Sequence, residues 1–307
     1  MTAGAIPPML AAMIRPALLA LMPLFLPVAA VAADPAPALL TWARLKARPR
    51  PAPDATIAYG PDELQKVDVW VPAGRGPHPV VVMVHGGCWQ SDIADRTLMD
   101  WIAADLRATG IAVWNIDYRG VDRPGGGYPG TFADVANAAD ELTEKASLYH
   151  IDLRRIVAVG HSAGGHLALW LAARPKLPTD SVLRRPHPLR IDHVVSLGGL
   201  PDLEATAASP DNGCGTAVVG RLVAGGGYAD TSIPRLLPLG VSQDLVNGRE
   251  DRIIPVRLAT DYVTKAKKAG DRVRLAVIAD TGHVELIAPE TPAWWAAKRA
   301  ITKGLHR

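Results

Sequence analysis

One short motif constrains this chain more than any other: Gly160-His161-Ser162-Ala163-Gly164. It follows Ile156-Val157-Ala158-Val159, an apolar, β-branched run that reads as a buried strand. It opens residues 163–173, AGGHLALWLAA, which read as an apolar helix. A serine at a strand-to-helix corner sits on a tight turn, so its neighbours must be small, and Gly160 and Gly164 remove side chains that would collide. The turn pushes the Ser162 hydroxyl out of the sheet. It also aims the first N–H groups of the helix, that of Ala163 included, at the point where an oxyanion would develop. A glycine-rich turn that only lets a helix pack against a sheet would carry the same pattern. An unassisted hydroxyl is also a poor nucleophile at neutral pH. The reading therefore depends on a base, an orienting acid and a second oxyanion donor elsewhere in the chain.

The second donor is found after residues 79–84 (PVVVMV), a continuous apolar run expected as a central strand buried on both faces. It leads into His85-Gly86-Gly87-Cys88-Trp89, where two glycines let the backbone present the N–H groups of Gly87 and Cys88 to a cleft. Trp89 is placed either to wall a substrate pocket or to pack as a core or rim aromatic. Of nine histidines, His283 is the candidate base, because Thr281-Gly282-His283 forms a glycine-bounded loop after the last expected strand, 273–278. His161 and His166 flank the serine and read as structural; His85 shapes the turn it begins. Asp251 is the candidate acid. It lies in Asn247-Gly248-Arg249-Glu250-Asp251, just past the strand expected at 241–246, where a carboxylate can orient a histidine. Glu250 would point elsewhere from the same turn, and Asp202 with Glu204 is the fallback. Asp244 intrudes in an otherwise apolar strand and, if buried, needs partners.

The other segments alternate strand and helix. Residues 65–71 alternate with period two, as a half-exposed strand near a sheet edge would; 111–116 and 193–197 also read as strands. Residues 96–109, 131–149, 256–269 and 292–305 read as helices. Each candidate catalytic residue then falls just past the carboxyl end of a strand, where open parallel sheets carry their sites. The alternation stops at 200–239, which reads as a small irregular cap over the site. Gly125-Gly126-Gly127 is no phosphate loop: no Gly-Lys-Ser/Thr follows, and Pro129 removes an N–H.

The net charge of +3 is small for 307 residues, and the basic pairs are scattered without interleaved aromatics, which argues against a nucleic-acid partner. Residues 1–33 read as an export signal. Stretch 17–33 is apolar, follows Arg15 and ends in small residues suited to cleavage, while Pro23 and Pro27 argue against a stable membrane span. A start at Met13 would give a tidier leader. Residues 34–54 hold a short possible helix and then a proline-spaced linker, and the folded domain is expected over 55–307. Two cysteines exclude a disulfide framework and a thiolate metal cluster. In an exported chain Cys88 and Cys214 could bond, tying the cap to the oxyanion loop; both could equally be free.

With these residues in view, the chain from about residue 55 resembles the α/β-hydrolase superfamily, and more narrowly its arylformamidase (kynurenine formamidase) and small carboxylesterase branch. The resemblance rests on His85-Gly86-Gly87-Cys88-Trp89, the Gly160–Gly164 elbow, the Asn247–Pro255 acid loop and Gly282-His283-Val284-Glu285. The chain order serine, acid, histidine is that of the family. It implies a mostly parallel sheet with helices on both faces and a Ser162–Asp251–His283 serine hydrolase. Such a protein needs no metal or organic cofactor and acts on a small ester or amide. Two departures are notable: Asn247 stands where the branch has a histidine, and an exported arylformamidase would be unusual. The second favours a periplasmic or secreted esterase over formamide hydrolysis, with an aminopeptidase-like amide hydrolase as a further alternative. A lyase, or a catalytically silent binding protein on the same fold, would share the architecture. The acyl and alcohol specificity and the oligomeric state are not encoded in these motifs.

Overall fold

Eight strands form one sheet in the order β1-β2-β4-β3-β5-β6-β7-β8. They are β1 (Ala55–Ala58), β2 (Lys66–Trp70), β3 (His78–Val84), β4 (Ala112–Ile116), β5 (Ile151–His161), β6 (His193–Leu197), β7 (Ser242–Gly248) and β8 (Arg272–Ile278). The pairs β1/β2 and β2/β4 are antiparallel, and every other pair is parallel. Parallel neighbours need crossovers, which helices supply: α2 (Asp100–Ala108), α3 (Gly130–Lys145), α4 (Ala163–Ala173), α7 (Val256–Lys268) and α8 (Pro292–Leu305). The computed structural model describes residues 1–5 and 38–306, so the apolar stretch 17–33 read as an export signal lies outside the described residues. Backbone contacts divide the chain into Met1–Ala36 and Pro37–Arg307, and the fold is that of the second unit.

The apolar run of β3 serves two cores at once. Val80, Val82 and Val84 pack with Trp114, Phe132 and Trp170 on the face covered by α3, α4 and α7. Val81 and Met83 pack with Trp70, Ile102 and Trp294 on the face covered by α2 and α8. Successive strand residues point to opposite faces, so a strand covered on both must be apolar throughout.

The structure departs from the sequence-based expectations in several places. Strand β2 is not half-exposed, because β1 pairs outside it and Asp68 is buried. A buried carboxylate needs partners, and Asp68 has the Arg96 guanidinium at 2.8 Å and the Thr56 hydroxyl at 2.5 Å. Residues 96–109 divide into a 3-10 turn, Arg96–Met99, capped by the Asp95 side chain, and then α2. The cap is less irregular than expected: it contains α5 (Leu203–Ala207) and α6 (Thr216–Leu222). Leu203, Val218, Val219 and Leu222 are buried in the main core.

Residues 38–54, expected as the bulk of a linker, instead pack on the domain. They begin with a one-turn helix, α1 (Trp42–Lys46), capped by the Thr41 hydroxyl. Leu45 is fully buried in the second core. The Leu40 N–H is held by the Glu285 carboxylate, and Arg48 pairs with Glu290. Trp101 Nε1 donates to the Pro49 carbonyl at 3.1 Å, and Arg50 donates to the Thr97 carbonyl at 2.8 Å. Proline spacing does favour an extended chain. An extended chain can nonetheless bind along a surface when its flanking side chains find partners there.

Candidate active site

Ser162 sits at the β5–α4 corner with φ 55° and ψ −124°. A non-glycine residue in that region is strained by about 1–3 kcal/mol and persists only where its surroundings enforce it. Here the enforcement is local. The Ser162 N–H donates to the Leu197 carbonyl of β6 at 2.8 Å, and its carbonyl accepts from the Gly165 N–H at 2.8 Å. A Cβ on Gly160 would lie 1.9 Å from the Gly164 carbonyl oxygen, and one on Gly164 would lie 2.1 Å from that of Val84. Both elbow glycines are therefore required by close backbone approach.

His283 follows β8, and its Nδ1 lies 2.6 Å from Asp251 Oδ2. Asp251 Oδ1 accepts the N–H groups of Ile253 and Ile254, each at 2.8 Å. The carboxylate is thus fixed by its own loop and directs one oxygen at the imidazole. Glu250 points away, as expected, and accepts the Thr281 N–H at 2.9 Å. Asp202 is not a competing acid: it caps α5 through the Ala205 N–H and pairs with Lys265 at 2.5 Å. Asp244 also finds its partner, His193 Nε2 at 2.8 Å, near the start of β7 and away from the strand ends that carry the site. Burial pushes the Asp244 carboxyl up, but the hydrogen bond and charge of His193 outweigh it and hold the group below its usual value.

Ser162 and His283 line one cavity of about 300 Å3 together with Gly87 and Cys88. That is at the small end of the roughly 300–1,000 Å3 range of ligand sites. Gly198 (φ 56°) lies between the elbow and the histidine: a Cβ there would press on His283 Cε1 at 3.1 Å. The backbone of the loop after β3 turns sharply, with Gly87, Cys88 and Trp89 all at positive φ. Two ties hold it. His85 stacks on Tyr118 with ring centroids 4.3 Å apart and contacts Asp117 at 3.0 Å. Cys88 is bonded to Cys214 of the cap. Of the two states open to these cysteines, the bonded one is found.

Trp89 does not wall the pocket. It is fully buried, and its indole N–H donates to His166 Nδ1 at 3.3 Å. The left-handed turn at Cys88 and Trp89 directs the ring inward beneath the loop. His166 in turn donates from Nε2 to the Thr231 carbonyl of the cap at 2.8 Å, and burial lowers its pKa to about 4. His161 donates from Nε2 to the His283 carbonyl at 3.1 Å, and its ring lies 4.4 Å from that of His283. Burial first, and the neighbouring His283 second, hold His161 well below its ordinary pKa. A neutral ring there adds no charge to oppose an imidazolium at His283.

Sequence reasoning missed Trp42, Gly213 and Ile253, which also line the cavity. Trp42 makes edge-on contacts with His161 and His283, at 6.1 and 6.2 Å between ring centroids. No motif marks Trp42 or Gly213, and Ile253 lies in the acid loop with nothing in the pattern to single it out. Among the described residues, no group of three or more His, Cys, Asp or Glu side chains is placed to hold a metal ion.

The BD-FAE family matches residues 67–230, a stretch that includes the His85–Trp89 loop and the Ser162 elbow. The chain belongs to the BD-FAE family. It is 31% identical over 118 residues to a probable isoprenylcysteine alpha-carbonyl methylesterase of Oryza sativa subsp. japonica, covering 37% of this chain and 26% of that protein. It is 31% identical over 113 residues to a kynurenine formamidase of Danio rerio, covering 36% of each. The chain thus spans about a quarter to a third of the length of these curated relatives. Among solved structures, a truncated carbohydrate esterase from gut microbiota superposes with a TM-score of 0.68 at 17% identity, over 83% of this chain and 98% of that one. With the strand order above, this places the BD-FAE chain in the α/β-hydrolase fold expected from its motifs.

Proposed function

We propose that this BD-FAE protein is a serine hydrolase that cleaves a small carboxylic ester through an acyl-enzyme intermediate. The observation that carries the proposal is the 2.6 Å contact from His283 Nδ1 to Asp251, made by an imidazole that shares one small cavity with Ser162. Asp251 holds Nδ1 as the donor, which leaves Nε2 to take the Ser162 proton. Ser162 Oγ attacks the ester carbonyl carbon while that proton passes to His283. The N–H groups of Gly87, Cys88 and Ala163 bind the oxyanion. Collapse of the tetrahedral species breaks the C–O bond, and His283 returns the proton to the departing alcohol. Water, deprotonated by His283, then attacks the acyl-enzyme, and the acid leaves with Ser162 restored.

The esterase names of the relatives and of the structural neighbour support an ester over an amide. The formamidase relative makes a formamide the second reading, with the same three residues in the same roles. The disulfide joining Cys88 and Cys214 suits an oxidising compartment. Together with the apolar stretch at 17–33, it supports a periplasmic or secreted location. No helix among the described residues is long and apolar enough to cross a membrane.

The test is labelling with a fluorophosphonate followed by peptide mapping, beside turnover of p-nitrophenyl esters, N-formylkynurenine and aminoacyl anilides. Ser162 should carry the label, and the esters should turn over fastest. An unlabelled Ser162 would leave the silent binding protein as the better reading, and fastest turnover of N-formylkynurenine would move the substrate to the formamide.

A further inference from the structure

The cavity has a wall that the catalytic motifs do not supply. Its floor is Ser162, His283 and the oxyanion loop, and Leu98 and the half-exposed Ile93 flank it. Trp42, which comes from residues before the first strand, closes another side. It is the largest side chain lining the cavity, and its ring stands edge-on to the rings of both His161 and His283.

Four anchors bracket this indole. Before it, the Leu40 N–H is held by Glu285, whose other carboxylate oxygen accepts the Gly282 N–H of the histidine loop at 3.0 Å. After it, Leu45 is fully buried in the second core. Pro49 and Arg50 are then hydrogen-bonded to Trp101 and Thr97, and Arg50 lies over the Trp101 ring at 5.0 Å. Displacing the backbone that carries the ring would mean lifting this strap, because α1 is a single turn and Leu45 lies three residues on. Taking a fully buried leucine out of its core is costly, so the lifted state is sparsely populated.

We propose that Trp42 is a specificity-determining residue: it is the fixed aromatic wall that limits the size of the apolar group the site accepts beside Ser162. The inference rests on the esterase reading of that site. Trp42, Ile93, Ala94, Leu98 and Ile253 make much of the lining apolar, so discrimination against them is steric, and each buried methylene is worth about 0.8 kcal/mol, or roughly fourfold in kcat/KM. Truncating the indole opens room for several methylenes.

The experiment compares kcat/KM along two ester series, p-nitrophenyl acetate to octanoate and methyl to hexyl acetate, for the wild-type protein and Trp42→Ala. The readout is the ratio of the longest to the shortest member, which cancels any general loss of activity. In the variant the ratio should rise at least tenfold in one series, and Trp42→Phe should fall between. A change below threefold in both series, in a variant that melts cooperatively and still takes the fluorophosphonate label, overturns the proposal, and any larger rise supports it. If Trp42→Ala does not fold, the same thresholds are read from Trp42→Phe, with twofold in place of threefold. A wild-type Ser162 that never labels overturns the esterase reading and this inference with it, a result distinct from labelled protein with an unchanged ratio.

Discussion

The chemistry and the walls of this site are held in different ways. Ser162, Asp251 and His283 stand on loops that leave the carboxyl ends of β5, β7 and β8, and the sheet's own hydrogen bonds fix where those loops begin. The strap at 38–54 and the cap at 200–239 are laid over that frame and held mainly by side chains, one covalent bond and isolated backbone hydrogen bonds such as Gly213 N–H to the Ile253 carbonyl. The first kind of placement is dictated by backbone geometry and tolerates few residue types. The second depends on scattered partners far apart in sequence, such as Leu40 with Glu285 or Cys88 with Cys214. A frame of this kind can keep its reaction while its covering segments change its substrates.

Substitutions can break or sharpen this contrast. The largest effect belongs to the frame: His283→Ala should cost on the order of a millionfold in kcat, read from steady-state ester hydrolysis. Asp251→Asn should cost less, roughly 10⁴-fold, because the imidazole survives with its tautomer unfixed. Comparable losses from any strap substitution would erase the distinction between frame and cover.

Next comes the covalent tie. Cys88→Ser with Cys214→Ser removes a cross-link spanning 126 residues, and should lower unfolding free energy by about 2–4 kcal/mol in denaturant titrations. Because Cys88 lines the cavity with Ser162 and His283, kcat should fall as well, whereas a tie serving only stability would leave it unchanged.

A similar-sized effect should follow acidification. His166 joins Trp89 under the oxyanion loop to Thr231 of the cap, and burial lowers its pKa from 6.5 to about 4. The unfolded chain then takes up the proton first as pH falls. Stability from this group is full above the unfolded value and is lost as pH drops through the folded one. About 3 kcal/mol should disappear between pH 6.5 and 4. Denaturant midpoints at pH 7 and 4.5 measure it, and His166→Gln, which cannot titrate, should show a flatter slope. The smallest effect is expected at the strap's surface: Arg48→Ala should cost under about 1 kcal/mol, because its pair with Glu290 is solvent-exposed.

What could be read from the sequence divides along the same line. The elbow was legible because only glycines fit at 160 and 164, and the order of strand, turn and helix is written in the hydrophobic pattern. Asp251 and His283 were legible because each follows a recognisable strand. Trp89 was misplaced because a tryptophan beside an oxyanion loop can face either way, and only the left-handed turn at Cys88 and Trp89 decides it. Asp244 read as an anomaly until His193 came into contact with it, and Asp68, expected on a half-exposed strand, is buried against Arg96. Trp42 was invisible, since the proline spacing that follows it suggests a spacer and nothing local records that the Leu40 N–H meets the carboxylate of Glu285, 245 residues later.

The buried Leu45 also bears on where this domain can be cut. A recombinant version begun at Ala55, the first residue of β1, would keep every residue of the proposed chemistry. It would nonetheless leave a leucine-sized hole in the hydrophobic interior behind α2 and α8, and open one flank of the reaction chamber to bulk water. Such a fragment would report the promiscuity of an unroofed pocket in place of the selectivity of the native one.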